Sequence, residues 1–191
     1  MASFLGGKWF HIGVLVQSGR QALLKRDFAQ ALSHFQDAAK KAPGYVYKAA
    51  HFSEGIWTYV GRAHYALGSL QTARQSLERA LKESQDDHMA RLYLGMTLLR
   101  EGDRMRGLIE TKIAMQGLHD WIERIVTGRP FDAFWDPNNQ IRNELKKNIA
   151  LVGESHIDRD KILASAEWLG REIEEEIERA RRDESQQYEN D

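Results

Sequence analysis

The apolar positions along this chain recur three and four residues apart, the spacing of one face of an α-helix. In "LKRDFAQALSHFQDAAKKAP" (Leu24–Pro43), Ala31, Phe35 and Ala38 fall in that register and a proline ends the run. The same register continues through "WTYVGRAHYALGSLQTARQSLERAL" and "LIETKIAMQGLHDWIERIV". Further along, Ile141, Leu145 and Ile149 lie at i, i+4 and i+8. Ile162, Ala166, Leu169, Ile173 and Ile177 trace a seam on a last long helix. The stops agree with this. Pro43 closes one helix, and Asp136-Pro137 reads as an N-cap with proline at the first helical position. Gly153 reads as a stop, and Asp158 or Asp160 as the next cap. Eight helices and no strand are predicted.

The helical runs repeat. From Gly19, Gly61 and Gly95, a turn residue follows seven positions on (Arg26, Gly68, Gly102) and a small residue twelve on (Ala31, Ala73, Gly107). Phe35, Leu77 and Thr111 follow sixteen on, and Ala38, Ala80 and Ala114 nineteen on. A glycine or alanine where two helices cross lets their backbones approach, while a larger residue one turn away fills the adjoining hole. The turn joins two antiparallel helices into a hairpin. The anchors are spaced 42 and then 34 residues, so eight extra residues sit near "GYVYKAAH".

This spacing resembles the tetratricopeptide (TPR) repeat. Trp57, Val60 and Gly61 match the family's W-x2-L-G, Gly68 its turn, and Ala73 and Ala80 its small positions. The third unit departs at Arg91, Gly107 and Thr111. The resemblance covers about Ile12–Gln116. It implies an all-α, right-handed solenoid of helical hairpins (an α-α superhelix) with additional C-terminal helices. Hairpins are expected at Trp9–Lys41, Ala49–Glu83 and Asp87–Val126. The corresponding domains are a repeat domain over 1–126, capping helices over 127–182 and a frayed, disordered tail over 183–191. Trp57 is expected to be buried between the first two units.

The resemblance also implies a concave groove lined by the first helix of each hairpin. Its candidate partner-binding residues are Gln17, Arg20, Tyr59, Arg62, Tyr65, Tyr93, Met96 and Arg100. Arginine and tyrosine dominate binding hot spots, and no acid stands among these eight positions. The implied partner is therefore a protein or peptide segment, acidic with an apolar anchor. A competing reading buries the apolar groove residues against the chain's own C-terminal helices. The family's two-carboxylate clamp for chaperone tails needs Lys, Asn, Asn, Lys and Arg. Val16, Arg20, Tyr59, Met89 and Tyr93 stand there, so that role is not expected.

Composition narrows the field further. A net charge of -1 argues against nucleic-acid binding. The absence of cysteine removes thiolate chemistry and disulfides. No apolar run approaches the roughly 20 residues that span a bilayer, and "WFHIGVLV" lacks the cleavage site of a signal peptide. The cytoplasm is the expected compartment. The seven histidines include no i, i+4 pair, and "HIDRD" reads as a helix start, so neither metal nor cofactor is expected. No catalytic motif is found and the chain is not expected to be an enzyme.

Two segments stand apart. "FDAFWDP" puts three aromatics on a loop, read as a plug over the end of the stack. Residues 171–191 carry nine acids against four bases, read as a solvated face. The function expected is a non-catalytic adaptor or assembly factor binding a segment in the groove. The alternative is a structural protein that self-associates, as a homo-oligomer, through its C-terminal amphipathic helix.

Overall fold

The computed structural model describes residues 2–49, 51–128, 134, 136, 138–152 and 158–189. Among them are eight helices: α1 (Ala2–Leu24), α2 (Phe28–Lys41), α3 (Ile56–Ala66), α4 (Leu70–Glu83), α5 (His88–Glu101), α6 (Arg104–Gly128), α7 (Gln140–Leu151) and α8 (Arg159–Glu189). Two short strands, β1 (Val46–Ala49) and β2 (Phe52–Gly55), pair as a hairpin between α2 and α3. The helices pack as sequential hairpins. Two compact units form, one from residues up to Tyr47 with Glu54–Ala90, the other from Lys48–Ser53 with residues from Arg91 onward.

In the first unit α1 pairs with α2, α3 with α4, and α2 also packs on α3. The anchor glycines explain the closeness of each pair. A Cβ on Gly19 would sit 2.4 Å from the Phe35 ring, and one on Gly61 would sit 2.5 Å from Leu77 Cγ. In the second unit, a Cβ on Gly95 would sit 2.3 Å from Thr111 Oγ1 and 2.7 Å from its backbone nitrogen. Each glycine therefore meets the residue sixteen positions on. The departures in the third hairpin compensate one another, because Gly107 in turn accommodates Leu99, whose backbone nitrogen lies 2.8 Å from a Cβ built there. Arg91 ties α5 to α6 through Glu110 at 2.7 Å.

The three turns share one geometry. Arg26, Gly68 and Gly102 have φ of 62°, 75° and 94°. The following amides, of Asp27, Ser69 and Asp103, each donate at 2.9 Å to a carbonyl five residues back. The turn amides themselves donate three residues back, which completes a Schellman closure at each helix end. Glycine accepts this backbone without strain; Arg26 does not.

Three expectations are corrected. The eight extra residues fall in a β-hairpin where no strand was expected, and α3 begins at Ile56, not Ala49. Val46–Gly55 alternates exposed and buried side chains, with Tyr47, Ala49, Phe52 and Glu54 buried, the period-2 pattern of a half-buried strand pair. Trp57 is only half-buried. Its Nε1 donates to the Pro43 carbonyl at 2.8 Å and the Arg79 guanidinium lies 3.7 Å over its ring. Helix α8 runs to Glu189, with no glycine or proline after Gly170 to break it.

In the second unit, Asp136 caps α7 from outside, accepting the amides of Ile141 and Arg142 at 3.2 Å. Asn139, with φ 53°, is the residue that enters the helix. Asp158 accepts the amides of Asp160 and Lys161 at the start of α8. Phe134 sits edge-on to Trp121 of α6, their ring centroids 5.7 Å apart. Phe131, Trp135, Pro137, Gly153 and His156 lie outside the described residues. The seam Ile162, Ala166, Leu169, Ile173 and Ile177 is buried throughout.

Candidate functional site

Five of the eight candidate groove residues lie in the first unit. On α1, Gln17 and Arg20 are three apart and share a face. Arg20 is wholly buried. Its Nη1 donates to the Gln17 amide oxygen at 3.1 Å and to the Tyr47 hydroxyl at 2.7 Å, while that hydroxyl donates to Gln17 at 2.9 Å. The guanidinium also lies 4.5 Å from the centroid of the Tyr47 ring. Tyr47 comes from β1, so the inserted hairpin supplies the aromatic and the acceptor that make a buried arginine tolerable.

On α3, Tyr59, Arg62 and Tyr65 are likewise buried. Arg62 Nη1 donates to both carboxylate oxygens of Glu54, at 3.0 and 3.1 Å, and the two side chains are 4% and 0% exposed. Glu54 belongs to β2. Tyr59 stacks on Phe35 at 5.0 Å and meets the Tyr47 ring edge-on at 6.2 Å. Beside it, Thr58 donates to Asp87 at 2.6 Å, and Asp87 accepts the Ala90 amide at 2.8 Å as the cap of α5. Burial pushes the Asp87 carboxyl above its ordinary range, against the pull of these hydrogen bonds and of the Arg62 charge.

Tyr93, Met96 and Arg100 lie on α5 in the second unit. Met96 is buried, Tyr93 half-buried and Arg100 exposed. Here α8 covers the same helix face. A Cβ on Gly170 would come within 2.8 Å of the Tyr93 hydroxyl, and Ile162 packs in one cluster with Leu99 and Leu108. Position 162 goes with 99 and position 170 with 93, so α8 runs antiparallel to α5. A hydrogen-bonded cluster joins α8 to α7, in which Asn148 donates to Ser165 at 2.6 Å and Ser165 donates to Glu144 at 2.6 Å.

The candidate residues are therefore not an open wall. In the first unit the chain's own hairpin engages the polar groups of Gln17, Arg20 and Arg62, and in the second α8 lies on Tyr93 and Leu99. Sequence reasoning missed Tyr47, Glu54 and Asp87. The first two had a signal, the period-2 alternation across Val46–Gly55. Among the described residues no cluster of three histidine or acidic side chains could hold a metal ion. None of the described helices is long and apolar enough to cross a membrane.

Comparison with known proteins gives one weak likeness. No family model matches the chain. Over 130 residues, 65% of this chain, it is 27% identical to the RNA polymerase-associated protein CTR9 of Saccharomyces cerevisiae. That stretch is 12% of the yeast protein's length.

Proposed function

We propose that the chain is a non-catalytic protein-interaction module, an adaptor or assembly factor that takes a peptide or helical segment on the inner face of its TPR-like hairpins. The observation that carries this reading is the chain's own chemistry at that face. A carboxylate (Glu54) sits on Arg62, a tyrosine (Tyr47) on Arg20, and an apolar helix on Leu99. A partner segment that is acidic with an apolar or aromatic anchor offers the same groups, and engages the inner face of either unit by competing with these elements or by extending them, at Gln17 in the first and at Tyr93 and Arg100 in the second. The similarity to a polymerase-associated protein fits a role in assemblies, and its name leaves the cytoplasm as one proposed compartment rather than the assigned one. Self-association through α8 has lost its motive, because the apolar seam that would drive it is already buried.

The test is cross-linking of captured partners to the full chain, with light scattering on the same sample. Retained polypeptides should cross-link next to Gln17, Tyr93 or Arg100, and Arg100→Glu should weaken retention about tenfold, as loss of a favourable rim charge does. A chain that retains no polypeptide and forms a concentration-independent oligomer would overturn the proposal in favour of a structural role.

A further inference from the structure

Helix α6 carries an apolar stripe that the hairpin packing does not use. Its buried face is built from Gly107, Leu108, Thr111, Ala114, Met115, Leu118 and Ile122. Between these positions Met105, Ile109 and Ile113 follow at i, i+4 and i+8, and are 75%, 52% and 43% exposed. They are three of the six exposed large hydrophobic residues among the described ones. Scattered singly such residues mean nothing, but aligned on one ridge they mark a contact surface. The ridge borders a groove of about 590 Å³ lined by Arg104, Met105, Ile109, Lys112, Ile113 and, from the end of α7, Val152.

Charge selects the occupant. Among the described residues Arg104 and Lys112 line the groove and no acidic side chain does; of the described acids that adjoin the lining residues in sequence, Glu110 is turned to Arg91 at 2.7 Å and Asp103 accepts the Arg106 amide at 3.3 Å. A second copy docking by the same face would bring these cations toward their own counterparts. Three apolar side chains also fall well short of the roughly 800 Å² per partner that a stable dimer buries. Shape selects it too. An i, i+4 ridge of about 12 Å fits the grooves of another helix.

We propose that this face of α6 docks an amphipathic helix from a partner protein, with apolar residues at i, i+3 or i+4 and i+7 and carboxylates on its flanks. The site goes beyond the inner-face reading, since it uses none of the groove residues.

The probes are two synthetic 16-residue amphipathic helices with the same leucine stripe, one flanked by glutamates and one by lysines. Each is titrated by fluorescence anisotropy into the full chain. The glutamate-flanked peptide should bind about tenfold or more tighter than the other. Ile109→Ser should abolish that binding without changing the melting temperature, since the side chain is half exposed, and Lys112→Glu should reverse the charge preference. Arg100→Glu should leave it unchanged, which separates this site from the groove. Hydroxyl-radical footprinting should oxidise Met105 readily in the free chain, far faster than buried Met115, and the glutamate peptide should protect it. The proposal is overturned if neither peptide binds, if both bind equally, or if Ile109→Ser binds like the wild type. Met105 as protected in the free chain as Met115, or a stripe variant that changes the oligomeric state, would overturn it equally.

Discussion

Replacing Gly61 by alanine is a direct test of how these hairpins close. In an open helix the change is favourable, since alanine is better than glycine by about 1 kcal/mol in a helix interior. Here the added methyl would lie 2.5 and 2.7 Å from Leu77 Cγ and Cδ2 and 3.3 Å from the Ala73 carbonyl. Leu77 is fully buried, so it cannot swing into solvent, and the helices must part. Overpacking of this kind costs about 1–3 kcal/mol, leaving a net loss of about 0–2 kcal/mol instead of the gain of about 1 kcal/mol that an open helix would show. Gly95→Ala should cost more, because its methyl meets the Thr111 backbone nitrogen and Cα, which no rotamer change relieves. Gly44→Ala is the control, with nothing within 4 Å of its Cβ. Urea titration of the full chain gives the ranking. Combining Gly61→Ala with Leu77→Ala should cost at least about 1 kcal/mol less than the sum of the single changes, as expected for residues in contact. A Gly61→Ala protein about 1 kcal/mol more stable than the wild type, the open-helix result, would refute the crossing geometry.

Three further outcomes follow from the first unit. Arg62→Met or Glu54→Leu alone should each cost about 3–5 kcal/mol by stranding a buried charge, while the double variant should recover most of that loss; thermal melts of the three proteins decide it. Arg26→Gly should stabilise the chain by about 1 kcal/mol, because φ is 62° there, and a lower melting temperature would contradict it. Asp87 binds its proton more tightly folded than unfolded, so its contribution to stability falls as pH rises above 3.8 through its raised folded value. Asp87→Asn, which keeps an acceptor for Ala90, should therefore gain on the wild type between pH 4 and pH 7 in paired urea titrations.

What was legible in the sequence was local. A glycine facing a larger residue sixteen positions later is a contact within one hairpin, and its period survives even where Thr111 replaces a leucine. The left-handed turns at Gly68 and Gly102 were legible for the same reason. Trp57 was misread because the family position was taken as buried, whereas the Pro43 carbonyl and the Arg79 guanidinium hold the indole at an edge. The hairpin's hold on Arg20 and Arg62 was not legible because the eight extra residues were treated as a length and not as chemistry.

Those eight residues change what the arginines mean. An arginine on an inner helix face is a binding residue only if nothing in its own chain satisfies it. The hairpin that lengthens the first step of the repeat places a tyrosine over Arg20 and a carboxylate on Arg62, both out of water. Taking a guanidinium out of water costs several kcal/mol unless a partner of this kind compensates, so helices and hairpin stand or fall together as one core. A partner reaching Arg62 must therefore displace a bidentate carboxylate, and needs at least equal charge and geometry to do so. The exposed stripe of α6 differs: Met105, Ile109 and Ile113 face outward among the described residues, so a helix laid on them would gain apolar burial without displacing a buried ion pair. Of the two surfaces proposed, the one that needs no internal rupture should be engaged first.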